Sequence, residues 1–87
     1  MTMPLRSSEA GEGEIQAFDG KVYQLSLHRA YAPGAPISVE VSREGGWLPL
    51  TMKSIGSKRQ TDGSFIVRAR PINLRRETRA WLIESFA

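Results

Sequence analysis

Arginine is the residue through which this chain is best equipped to do chemistry. Arg68 and Arg70 alternate along one stretch, Arg75, Arg76 and Arg79 follow, and Lys58 and Arg59 precede them, so seven basic residues fall in the last thirty. Guanidinium groups recognise phosphates and carboxylates through paired N–H donors. Arg75 and Arg79 are four residues apart, the spacing that places two side chains on one helix face. Such a pair suits a phosphate or carboxylate partner. The plainer account is a solvated helix face, with Arg79 paired to Glu84 or to another acid. Other reactive side chains are few. Ser26 has only His28 as a base, two residues along the same strand face, with no orienting acid or oxyanion element in view. Asp19 and Asp62 each precede a glycine, and a turn role accounts for both. Gly45-Gly46 and Gly56 lack the spacing of a phosphate loop. The expectation is therefore a protein with no catalytic residues and no resident cofactor.

The elements that must position these residues are short strands and one helix. In Ser64–Arg70, Phe65, Val67 and Ala69 point one way and Ile66, Arg68 and Arg70 the other, the period of a half-buried strand. Pro71 cannot donate to a ladder and ends it. Asn73 is placed to cap a helix through its side-chain oxygen. Leu74, Thr78, Trp81, Leu82 and Phe86 then recur at spacings of three and four as one apolar stripe. Upstream, Asp19-Gly20 between Glu14–Phe18 and Lys21–His28 predicts a two-residue hairpin turn. Tyr31 to Pro36 reads as a loop. Ile37, Val39 and Val41 alternate with polar residues as a strand, and Arg43 to Gly46 turns the chain back into Trp47–Lys53. Pro49 marks that strand as an edge or a bulge. Ser54–Gly63 is polar and reads as a long, mobile loop. Residues 1–13, rich in Ser, Gly and Glu, read as a disordered arm. The pattern predicts a single, mostly β domain over residues 14–87. It is a small antiparallel barrel of five or six strands with one C-terminal helix.

Composition bounds the rest. Eighty-seven residues make one small domain, and the formal net charge of +3 permits an anionic partner without requiring one. With no cysteine and a single histidine, disulfides, thiolate chemistry and a zinc site are excluded. No apolar run approaches the roughly 20 residues of a membrane span. The expectation is a soluble, cytoplasmic protein.

Leu25-Ser26 followed by Gly34-Ala35-Pro36-Ile37-Ser38-Val39-Glu40-Val41, then Trp47, Asp62-Gly63-Ser64-Phe65-Ile66-Val67 and Ile72-Asn73-Leu74, resembles the succession of strands in a PilZ-type domain. The likeness covers roughly residues 20–86. It implies a six-stranded antiparallel barrel with a C-terminal helix and a bacterial signalling role. Such domains characteristically bind cyclic di-GMP through an Arg-x-x-x-Arg pair before the barrel and an Asp/Asn-x-Ser-x-x-Gly motif. Here the second motif would fall on Gln24 to Arg29, where only Ser26 matches. Before the barrel Arg6 stands alone, with Ala10 four residues on. The resemblance thus implies a divergent member acting as an adaptor through protein contacts, with cyclic di-GMP as a possible ligand.

Two other readings stand beside it. Arg68, Arg70, Arg75, Arg76 and Arg79 could form a basic barrel face for nucleic-acid backbones, although Trp47 is the one aromatic placed to stack on bases. Alternatively, Trp47 and Pro49 on an edge strand form a protein contact, including one between two copies of the chain in a structural assembly. The plainer account of Trp47 is a ring covered by the Ser54–Gly63 loop or the N-terminal arm.

Overall fold

Six strands and a helix account for nearly the whole chain. The computed structural model describes residues 2–87; Met1, part of the expected arm, lies outside the described residues. The strands are β1 Met3–Ser7, β2 Gly11–Phe18, β3 Tyr23–Leu27, β4 Pro36–Arg43, β5 Gly46–Arg59 and β6 Phe65–Pro71, and the helix α1 is Arg76–Ser85. They close into an antiparallel barrel in the order β1-β2-β3-β6-β5-β4, with β4 returning to β1. This is the expected fold class, with the higher of the two strand counts.

Alternation fills the interior. Ile15, Tyr23, Leu25, Leu27, Ile37, Val39, Val41, Leu50, Met52, Val67 and Ala69 point inward and are buried, several with no exposed surface. Phe18 stacks on Tyr23 with ring centroids 4.4 Å apart. A fully buried Leu or Ile contributes roughly 1.5–3 kcal/mol, so these side chains, not local propensity, hold the strands. The helix seals the barrel with the expected stripe: Thr78 and Leu82 are buried, while Leu74, Trp81 and Phe86 pack against the core.

Two bulges bend the sheet into closure, one at Gln16 between β2 and β3 and one at Ile55 between β5 and β6. β5 is long enough to serve both sides: residues 46–53 pair with β4 and residues 52–59 with β6. Gly13 permits β2 to approach β3, since a Cβ there would lie 2.4 Å from the Ser26 carbonyl oxygen.

Four expectations are corrected. The N-terminal arm is instead β1 and the start of β2. Met3 and Leu5 are buried, and β1 pairs with β2 from Met3↔Ile15 to Ser7↔Gly11. Two inward apolar residues suffice because pairing on both sides supplies the rest. The loop expected over Ser54–Gly63 is largely strand, since β5 runs to Arg59 and only 60–64 connect it to β6. Polar residues sit there because Ser54 and Ser57 donate hydroxyl hydrogen bonds to the Tyr31 carbonyl at 3.1 and 2.7 Å, strapping the β3–β4 loop to the barrel. The turn at Asp19-Gly20 is not a two-residue hairpin. Phe18 pairs with Tyr23, and Asp19 Oδ1 accepts the N–H groups of Lys21 and Val22, each at 2.8 Å. The two-residue turn with positive φ at both positions lies instead at Glu44-Gly45 (φ 50° and 79°). Finally, Asn73 does not cap the helix. It takes the left-handed conformation (φ 52°) two residues before the N-cap position, which Arg75 occupies without a side-chain cap.

Candidate basic face of β5 and β6

Register places four cations on one outer surface. β6 turns Val67 and Ala69 inward and therefore Arg68 and Arg70 outward; both arginines are exposed. Across β5, Lys53 lies opposite Arg70, Gly56 opposite Arg68, and Lys58 opposite Ile66. On the other side of β6, Gln24 lies opposite Arg68 and Ser26 opposite Ile66. Two cations facing each other across a strand pair repel, at a cost of roughly 0.2–1 kcal/mol. No carboxylate relieves this, for the two ion pairs among the described residues are Arg6–Glu40 (3.0 Å) and Arg29–Glu9 (2.8 Å). Of the acids near this face in the register, Glu40 on β4 lies opposite Pro49 and is paired with Arg6, and Glu14 on β2, opposite Ser26, is two strands away from β6 and three from β5. Between the cations the face is apolar. Ile55 and Ile66 are half-buried beside Lys58 and Arg68 around a hollow of about 280 Å3. A second hollow, of about 480 Å3, brings Lys53 and Arg70 together with Ile55, Pro71 and Ile72.

The expected site residues fall in several places. Arg68 and Arg70 belong to this face, and Ser26 lies at its margin, half-buried. Arg75 and Arg79 share the helix spacing but not a site. Arg79 donates a hydrogen bond from its guanidinium to the Gly20 carbonyl, tying α1 to the β2–β3 turn, whereas Arg75 is exposed beside Glu77 in a cleft facing β5. Arg76 is exposed at the start of α1. Gly20 is required at its turn, because its φ is 95° and a Cβ would press to 3.2 Å from Ile83 Cδ1. His28 lies just beyond β3, and no hydrogen bond joins it to Ser26 among the described residues. Asp62 accepts from Ser64 Oγ at 2.6 Å and Ser64 N at 2.9 Å, and its carboxyl is held below the ordinary value chiefly by that hydroxyl. The Asp19 carboxyl is likewise held low, first by the Lys21 N–H and then by the Val22 N–H. Both aspartates therefore serve turns.

Trp47 is 44% exposed, and its ring is covered on one side by the Arg6 guanidinium, 3.9 Å from the centroid. The cover comes from β1, the stretch expected to be an arm. Pro49 lies in the half of β5 that pairs with β4 alone, so the edge position holds locally although the barrel is closed. That free side faces Ile72, Asn73 and Leu74, with Ile72 N–H bonded to the Thr51 carbonyl at 3.0 Å. The cation of this face that sequence reasoning missed is Lys53. Lys53 closes a strand in the sequence, and its place opposite Arg70 follows only from where the β5 bulge sets the register.

No group of three or more His, Cys, Asp or Glu side chains gathers among the described residues, and no helix there is long and apolar enough to cross a membrane. Comparison with family models, with curated proteins and with solved structures finds no match to this chain.

Proposed function

We propose that the chain is a non-enzymatic binding module that docks an acidic, partly apolar segment of a partner protein on the β5–β6 face. The observation that carries this reading is the set Lys53, Lys58, Arg68 and Arg70: four cations on one face, two of them directly opposed, none ion-paired among the described residues. A fold gains nothing from opposed like charges, whereas an anionic partner turns them into a binding determinant. Ile55 and Ile66 between the cations favour an amphipathic protein segment over a uniformly charged backbone. A nucleic-acid platform would add aromatic side chains for stacking, and this face has none: Trp47 lies with Arg6, and Tyr23 and Tyr31 are buried. The order of six antiparallel strands and a closing helix supports the resemblance to a divergent PilZ-type adaptor. Arg6 is paired with Glu40, and Ala10 stands four residues on, so the usual Arg-x-x-x-Arg pair does not precede the barrel.

Titration calorimetry with three probes tests the reading: an acidic peptide interspersed with leucines, cyclic di-GMP, and a mixed-sequence duplex. Micromolar binding of the peptide, lost in Arg68→Glu/Arg70→Glu, is expected. Binding of cyclic di-GMP alone would instead indicate a second-messenger receptor. Binding of the duplex alone, with a log–log salt slope near −3.6 for about four phosphate contacts, would indicate a nucleic-acid protein.

A further inference from the structure

We infer that the hollow between the β2–β3 turn, the end of β6 and α1 is a site for a phosphate monoester. The inference rests on the reading above, and it adds a modification state to the partner. Three cations from three separate elements line this hollow of about 470 Å3: Lys21 from the turn, Arg70 from β6 and Arg79 from α1, with Val22 and Pro71 completing the wall. Among the described residues none of the three belongs to an ion pair, and no carboxylate lines the hollow. Two carboxylates stand two residues from a lining cation: Asp19 turns Oδ1 onto the N–H groups of Lys21 and Val22, and Glu77 lines the cleft facing β5 instead.

The site is also preorganised. Arg79 is half-buried and held by one guanidinium nitrogen on the Gly20 carbonyl, which leaves the remaining donors of its fork free. Fixing a long side chain before binding lowers the entropy that a ligand must offset. A phosphate dianion presents three acceptor oxygens and close to two charges, which matches three converging cations better than one carboxylate does. Arg70 and Pro71 also line the neighbouring hollow with Ile55 and Ile72. A phosphorylated side chain next to an apolar one would therefore fill two adjoining hollows of the same face. The same chemistry could be offered by a free phosphate ester, and the test separates the two sources.

The experiment measures fluorescence anisotropy with an acidic, leucine-containing peptide, the same peptide carrying one phosphoserine, and AMP. Each is titrated against the full chain and against Lys21→Gln, an exposed change that leaves every hydrogen bond of the turn in place; Arg79→Lys is the second variant. The expected result is phosphopeptide binding about tenfold tighter than the unmodified peptide, with the gain reduced to about twofold in Lys21→Gln and in Arg79→Lys. Unmodified-peptide binding should not change in Lys21→Gln. Equal binding of the two peptides would overturn the phosphate site and leave the acidic-partner reading standing. AMP binding that depends on Lys21, with both peptides silent, would retain the phosphate site and overturn the protein partner. Silence of all three probes would overturn both.

Discussion

Two sides of this barrel use the same residue types in opposite ways. On the β1–β4 seam, Arg6 is paired with Glu40 and lies over Trp47, and nearby Arg29 is paired with Glu9 and stacks 5.1 Å from the Tyr31 ring centroid. On the β5–β6 face, Lys53 meets Arg70, and neither they nor Lys58 and Arg68 have an acidic partner among the described residues. The difference is one of backbone pairing as well as charge. The seam is joined only where Leu5 faces Val41 and Arg6 faces Glu40, whereas β5 and β6 pair from Met52↔Pro71 to Arg59↔Phe65. Where the ladder is short, side-chain pairs help to hold the strands; where it is long, the side chains are free for a partner.

The contrast can be broken most severely at β1. Deleting residues 2–7 removes the strand that closes the barrel, together with buried Met3 and Leu5, and should abolish the cooperative thermal transition. A truncated chain that still melts cooperatively would return this stretch to the status of an arm. Next in size is charge reversal on the opposite face. Arg68→Glu/Arg70→Glu should weaken acidic-peptide binding by about 100-fold, in line with breaking two charged contacts. Because Glu at position 70 would face Lys53, stability should hold or rise by roughly 0.2–1 kcal/mol. Parallel loss of binding and melting temperature would mean that these arginines serve the fold.

Smaller effects sharpen the account of the seam. Trp47→Ala should cost about 0.5–1 kcal/mol, the worth of an exposed cation–π contact, with peptide affinity unchanged. If affinity falls instead, Trp47 belongs to the binding surface. The last effect lies in the core and shows only at high pH. The Tyr23 hydroxyl is buried without a hydrogen-bond partner, and burial pushes its pKa up to about 12, with Arg79 pulling weakly the other way. Between about pH 10, where the unfolded phenol ionises, and pH 12, the folded chain binds more protons, so stability falls as pH rises. Denaturation curves of Tyr23→Phe across that range should decline less steeply than those of the parent chain.

How much of this was legible in the sequence depends on how each residue is held. β4 and β6 were plain because inward apolar residues (Ile37, Val39 and Val41; Phe65, Val67 and Ala69) alternate with a more polar outer set. The helix stripe was plain for the same reason at its own period. β1 was hidden because only Met3 and Leu5 mark its inward face. The second half of β5 was hidden because Ser54 is buried on a hydrogen bond to the Tyr31 carbonyl, and the Ile55 bulge interrupts the alternation. Arg68 and Arg70 could be assigned to one face from spacing alone. Their facing cation, Lys53, could not, since its position depends on a register set by that bulge. Spacing paired Arg75 with Arg79, but the Gly20 carbonyl, remote in sequence, draws Arg79 to a different site.

The most direct test of the central claim follows backbone amide shifts of the labelled protein while the acidic, leucine-containing peptide is titrated in. The account predicts shifts concentrated at Lys53 to Lys58 and Ile66 to Arg70, with Arg6, Glu40 and Trp47 unmoved. Shifts centred on Trp47 and the β1–β4 seam would contradict it and place the partner on the other side of the barrel.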